Sequence, residues 1–289
     1  MLSDGQYVID AWVQPWTVEV AAGMPRRDQQ LAEKYGNARR LNKGITLGAM
    51  VAEMDAAGVD KALCSAGPLI PNVFVIEALE AYPDRFIGVA TADPWGEGGV
   101  MAAVRTLRHM VLDHGCVGLK LEPFINDRLL TEAGWYPLYA ACVDLDVTVQ
   151  VQVGQSGAPS YVSETGRPTY VDRVAVDFPD LRIVAGHIGW PWTDEMIAVA
   201  QKHDNVWIDT SAHQPRYYPP TFVHFLRTFG RHKVLWGSDW PILDFDRALA
   251  GTDDLDLSAD GRAAFFAGNA AAAFKLDLPP AATNPGGAA

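Results

Sequence analysis

Two residues stand where short apolar runs give way to loops: Asp239 in GSDW and His187 in AGHIG. A carboxylate and an imidazole at one cleft make a general base and a paired acid or hydrogen-bond donor, and burial beside Trp240 is expected to raise the carboxyl pKa. Gln14 and Gln152 end two further runs, IDAWVQ and VTVQVQ. Their amide NH2 groups suit a carbonyl or developing oxyanion, where one well-placed donor is worth about 3 to 4 kcal/mol. Lys120 and the loop residue Arg216 can hold a substrate carboxylate, the guanidinium in bidentate fashion, with Glu122 and His213 as further contacts. Each has a plainer role open to it. Asp239 can cap a loop, His187 can be a satisfied core histidine, and Gln14 and Gln152 can be structural amides. Lys120 can be half of a buried ion pair with Glu122 or Asp10, and Arg216 a solvated charge.

Tryptophan is abundant, nine in all, and Trp12, Trp16, Trp95, Trp190, Trp192 and Trp240 fall at or just after the ends of such runs. Flat rings at a mouth suit stacking on a planar conjugated or aromatic acid, with Trp12 and Trp240 as substrate contacts; the plainer role is packing of loops over the core.

Residues at run ends need a scaffold that brings those ends together. The β-branched runs lie at 7–14, 61–66, 86–93, 116–123, 147–154, 181–188, 206–211 and 233–239. Helical patterns separate them at 46–59, 73–82, 100–115, 134–146, 169–180, 192–203 and 220–229, with tail helices over 244–275. Strand, helix, strand at this spacing requires parallel pairing with crossover helices, and eight repeats over about 270 residues is the size of a (β/α)8 TIM barrel. The first strand leads into VQPWTVEV with no Gly-rich phosphate turn, which argues against an open dinucleotide-binding sheet. Alternate positions then place Asp10, Trp12 and Gln14, Lys120 and Glu122, Gln150 and Gln152, Ala185 and His187, Asp209 and Ser211, and Asp239 toward the barrel interior and mouth. The domain expectation is one barrel over 1–278, with loop inserts at 15–44 and 155–168 and a disordered tail at 279–289.

The 23 Lys+Arg and 35 Asp+Glu give a net charge of −12, with no long basic block, which excludes a nucleic-acid or polybasic membrane partner. No basic-plus-apolar leader and no long apolar run occurs, so the expectation is a cytoplasmic protein, with a homodimer open. Cys64, Cys116 and Cys142 are odd in number and unpaired in spacing, and read as small buried hydrophobes.

The segments IDAWVQPW, GLKLEP, VQVGQSG, DFPDLRIVAGHIGWPW, NVWIDTS and VLWGSDWP resemble, in order and spacing, the blocks of an amidohydrolase-related family. That family includes aminocarboxymuconate semialdehyde decarboxylase, resorcylate-type decarboxylases and certain lactonases. The resemblance implies a barrel of the metal-dependent hydrolase type, whose first strand ends in His-x-His, fifth and sixth in His, and eighth in Asp, together binding a divalent metal. Trp12, Gln14 and Gln152 stand at three of those positions, leaving His187 and Asp239. Because a catalytic zinc site wants three good protein ligands, the expectation is no cofactor; the alternative is one zinc or manganese ion on Glu122, His187 and Asp239. Without a metal to activate water, the substrate must itself be activated. The leading expectation is a metal-independent hydrolase opening a lactone or activated ester of a small cyclic or aromatic acid, with Asp239 as general base. The alternatives are a decarboxylase acting on an aromatic or enol acid, and a pseudoenzyme that binds a small planar, carboxylated molecule.

Overall fold

The computed structural model describes residues 5–24 and 38–279. Eight strands form one parallel sheet in sequential order: β1 (Ile9–Val13), β2 (Lys61–Ser65), β3 (Phe86–Thr91), β4 (Gly118–Leu121), β5 (Thr148–Gln152), β6 (Ile183–Gly186), β7 (Val206–Asp209) and β8 (Val234–Leu235). The crossover helices fall where the apolar periodicity puts them: α1 (Leu47–Ala57), α2 (Asn72–Ala81), α3 (Gly99–Leu112), α4 (Tyr136–Asp144), α5 (Pro168–Asp177), α6 (Thr193–Lys202) and α7 (Pro220–Arg227). Thr46 caps α1 by accepting from the Ala49 amide, and Gly58 ends it in the left-handed conformation that glycine adopts without steric cost. The sheet is thus a nearly closed (β/α)8 barrel. Its seam is held by backbone bonds from Ala11 N to Trp236 O (3.0 Å), Gln14 N to Trp240 O (2.9 Å) and Asp239 N to Trp12 O (2.9 Å).

The main core lies between the sheet and its helices. A second cluster takes residues from five strands, Ile9 and Ala11, Leu63, Val89, Val184 and Leu235, and packs them on Ala270 and Phe274. Those last two belong to the closing helix α8 (Asn269–Phe274). The Thr148 hydroxyl donates to Ala273 O at 2.6 Å from the first residue of β5, so α8 plugs the end of the barrel opposite the mouth. The mouth is thereby left as the open end, where loops following the strands carry polar side chains.

Three strands depart from simple alternation: on β1 Ile9 and Ala11 join the inner cluster, against the expected parity of Asp10 and Trp12, and the register shifts between Asp10 and Val13. On β6 it is Val184 that joins the cluster inside the barrel and Ala185 that joins the outer core, the reverse of the parity expected from the sequence. His187 nevertheless reaches the mouth because its φ of +64° turns the chain out of the strand. β8 stops at Leu235 rather than running to Asp239, since the Trp236 amide bonds to Phe265 O at 2.9 Å and Asp239 itself has φ +65°. Non-glycine residues pay for left-handed backbone, and such strain concentrates where a side chain must be re-aimed. Of the expected insert at 15–44, residues 25–37 lie outside the described residues, as does nearly all of the expected tail; the first part forms a short helix, Val18–Gly23, capped by Thr17. The insert at 155–168 contains a single 3-10 turn, Ser163–Gly166. No helix among the described residues is long and apolar enough to cross a membrane.

Candidate active site

A cavity of about 640 Å³ opens at the mouth, and Gln14, Glu122, Gln152, His187, His213, Arg216 and Asp239 all line it. Asp239 and Gln14 meet across the seam: the Gln14 amide donates to Asp239 Oδ1 at 2.9 Å. Burial pushes the Asp239 carboxyl well above its usual range, against the lowering influence of Lys120 and of the Gln14 bond, with Asp209 and Glu122 adding to the rise. Burial thus favours the protonated form of Asp239, and the Gln14 bond engages only Oδ1.

His187 is held from behind. Its Nδ1 lies 2.8 Å from the Ser211 hydroxyl, which also bonds to Asp209 Oδ1. A hydroxyl donating to Asp209 accepts from Nδ1, so the far carboxylate orients the imidazole and turns Nε2 away from this chain of bonds. Burial, with His213 and Lys120 adding to it, lowers the His187 pKa to about 3, which keeps the ring neutral. His213, also lowered by burial, bonds through Nδ1 to Ser211 O at 3.1 Å. Arg216 is exposed at the rim with its guanidinium 4.7 Å from the Tyr217 ring centre.

Lys120, Trp12 and Trp240 do not line this cavity, which corrects their expected role as substrate contacts. Lys120 is fully buried, 3.6 Å from Glu122 Oε1, with its ammonium 4.9 Å from the Trp12 ring centre and no hydrogen-bond partner for Nζ. Burial raises the Glu122 carboxyl, and Lys120 opposes that rise. The Trp12 indole, also fully buried, lies 4.8 Å from the His187 ring and fills the interior beneath it. Gly186 makes room for it: a Cβ there would meet the ring at 2.7 Å. Trp240 follows the left-handed Asp239 and so faces the opposite way, stacking on Phe245 and donating from Nε1 to Glu53 at 2.9 Å. Of the six mouth tryptophans, Trp16 and Trp190 line the cavity.

Sequence reasoning offered Asp10 only as an alternative ion-pair partner for Lys120 and gave Asp209 no role. Asp10 and Asp209 are fully buried; each accepts on Oδ1, from the amides of Trp12 and Ser238 and from that of Ser211 respectively, while each Oδ2 has no partner. Burial raises both to about 7. The alternation of Asp209 with Ser211 was the available signal, and it shows only that both face one side, not that a hydroxyl bridges to His187.

Comparison with known proteins fits this architecture. An amidohydrolase family model matches residues 9–276. The chain is 24% identical over 250 residues to a 2-keto-4-carboxy-3-hexenedioate hydratase from Sphingobium sp., covering 71% of each chain. It is 23% identical over 250 residues to a gamma-resorcylate decarboxylase from Polaromonas sp., covering 71% of this chain and 75% of that one. Among solved structures, an uncharacterized TIM-barrel protein from Bordetella bronchiseptica superposes with TM-score 0.78 at 23% identity, over 96% of this chain and 100% of that one.

The expectation of a cofactor-free site is overturned by two further barrels. A 5-carboxyvanillate decarboxylase from Novosphingobium aromaticivorans (TM-score 0.70, 19% identity, 94% and 98% covered) carries bound manganese. So does a dihydroxybenzoic acid decarboxylase from Polaromonas sp. (TM-score 0.68, 18%, 96% and 99% covered), with 2-nitroresorcinol as inhibitor. The alternative ligand set does not assemble either: Glu122 is paired with Lys120, His187 Nδ1 with Ser211 and Asp239 with Gln14. Among the described residues no group of three or more His, Cys, Asp or Glu comes together to hold a metal ion. The side chains present therefore do not fit a three-ligand site, and no chemical step is routed through a metal below. Fold, strand-end blocks and the match over residues 9–276 agree: the chain belongs to the amidohydrolase family.

Proposed function

We propose that this protein is a carbon–carbon lyase that removes carbon dioxide from an aromatic or enol carboxylic acid, with Asp239 as the acid. One observation carries this over lactone hydrolysis. A carboxyl that faces the cavity, has one oxygen held by Gln14 and has its protonated form favoured by burial is suited to giving a proton rather than taking one from water. The decarboxylases among the similar proteins support the same direction. Manganese, bound in two of those, is carried over as a cofactor expectation whose ligands this chain does not supply as a set of three.

Arg216 at the rim binds the substrate carboxylate as it enters, and Gln152 and neutral His187 hydrogen-bond the ring oxygens. The proton on Asp239 passes to the ring carbon bearing the carboxylate, with electrons supplied by the conjugated hydroxyl or enol oxygen. The bond to the carboxylate carbon then breaks, its electron pair returns to the ring, and carbon dioxide leaves. Asp239, now a carboxylate, takes a proton from solvent, and Gln14 holds Oδ1 throughout so that the same oxygen faces the substrate.

Incubating the protein with manganese, 2,6-dihydroxybenzoate and 5-carboxyvanillate in heavy water tests this. The expected result is carbon dioxide release with one deuterium at the vacated carbon. Oxygen-18 uptake from labelled water into an opened lactone, with no carbon dioxide from any acid tried, would restore the hydrolase.

A further inference from the structure

The cavity lining combines an apolar first half with polar groups elsewhere. Beyond Gln14 and Glu122 at the strand ends, the loops after β1, β2 and β4 present Trp16, Met24, Leu69, Ile70, Phe124 and Ile125. Loops after β5 and β7 present Gln155, Ser156, His213 and Arg216 beside Ala158, Tyr161 and Tyr217. The first half is not an edge of the barrel core. Val20, Met24 and Ile70, with Trp16, Leu69 and Phe74 packed on them, make a separate hydrophobic cluster built wholly from residues beyond the ends of β1 and β2. The barrel does not need this cluster for its own packing, because the sheet's two faces are already filled by the other two. An apolar patch kept in a cavity that also carries polar groups is a binding surface for a molecule with both kinds of surface.

Size points the same way. A cavity of about 640 Å³ lies within the range that encloses drug-sized ligands. A single carboxylated ring fills only part of such a volume. On the reading of the site as one for an aromatic or enol acid, we infer that the substrate is such an acid bearing a large apolar substituent, an alkyl chain of about five carbons or a second ring. That substituent lies along Leu69, Ile70 and Phe124 while the carboxylate faces Arg216. Removing several methylenes from water is what would give such a substrate its affinity.

Isothermal titration of the full-length protein with three compounds tests this: 2,6-dihydroxybenzoate, 2,6-dihydroxy-4-pentylbenzoate and 5-pentylresorcinol. The pentyl acid is expected to bind at least 30-fold more tightly than its parent, and Leu69→Gln and Phe124→Gln, checked for folding by circular dichroism, should each shrink that ratio at least fivefold. Equal or weaker binding of the pentyl acid, with the parent acid bound, overturns the inference and leaves the carboxylic-acid reading standing. If 5-pentylresorcinol, which has no carboxylate, binds as tightly as the pentyl acid, the acid reading itself fails and takes the inference with it. No binding of either acid overturns both.

Discussion

Three aspartates in the barrel are lifted by the same cause, yet they sit in two different regions. Asp10 and Asp209 lie under the site, each with one oxygen fixed by backbone amides and the other enclosed. Asp239 lies above them, fixed by a single side-chain donor and open to the cavity. Desolvation is the largest influence on all three. A displaced pKa by itself therefore does not separate an acid that works from one that is only enclosed. Access and freedom of one oxygen do. The upper carboxyl is within reach of a molecule in the cavity; the lower two are enclosed beneath it.

The largest effect expected from breaking this contrast is at the upper carboxyl. Asp239→Asn should lower kcat on a turned-over acid by at least 10³-fold, about 4 kcal/mol of barrier, while substrate-analogue binding by titration changes little. Loss of binding in step with kcat would mean that Asp239 anchors substrate rather than protonating it.

Asp10→Asn should act on stability. A carboxyl at about 7 in the folded state and at its usual 3.8 when unfolded binds more protons when folded. Its contribution is full below pH 4 and is lost as pH rises toward 7, on the order of 4 kcal/mol across that window. His187, lowered to about 3, changes in the opposite sense over an overlapping window, but it does so in both proteins. Urea midpoints at pH 4.5 and 7.5 should therefore show the variant keeping more of its stability at the higher pH. An unchanged difference between the two pH values would show that Asp10 ionises at an ordinary pKa.

A smaller effect is expected at the link between the regions. Ser211→Ala removes the bridge from Asp209 to His187 and should lower kcat about 10- to 50-fold with an altered pH profile, whereas Ser211→Thr should restore most of it. An alanine variant with a wild-type pH profile would show that the bridge does not orient the imidazole. The smallest effect belongs to Trp240→Phe, behind the cavity: loss of the Glu53 bond should cost about 1 to 2 kcal/mol in stability, with kcat within threefold of wild type. A large fall in kcat would place the indole in the site after all.

The barrel was legible because its signal is redundant. Eight β-branched runs at even spacing, separated by helical periodicity, permit little else, and each ran one to four residues past the end of the hydrogen-bonded strand. The overshoot has one physical source at β6 and β8: the chain leaves the sheet at residues with positive φ, and a parity rule cannot pass through such a residue. That is why Trp240 was assigned to the mouth but stacks on Phe245. It is also why His187 is at the mouth although the parity that suggested it is inverted on β6. Lys120 shows a second kind of illegibility. Its inward position follows from alternation, but a long side chain can end at the cavity or under it, and only the packing of Trp12 and Glu122 decides. The Asp209–Ser211–His187 bridge joins β7 to the end of β6, a tertiary coincidence with no local pattern. The metal expectation failed for another reason: substitutions at ligand positions were weighed without sight of the manganese that related barrels hold.

The seam between β1 and β8 ties these points together. One of its three stitches is donated by the amide of Asp239, to Trp12 O, and another by the amide of Gln14, to Trp240 O. The two residues whose side chains bond to each other over the cavity therefore also clasp the cylinder shut with their main chains. The barrel cannot open at this join without moving Asp239 and Gln14 relative to the cavity, so closing the cylinder and aiming that carboxyl are one and the same constraint.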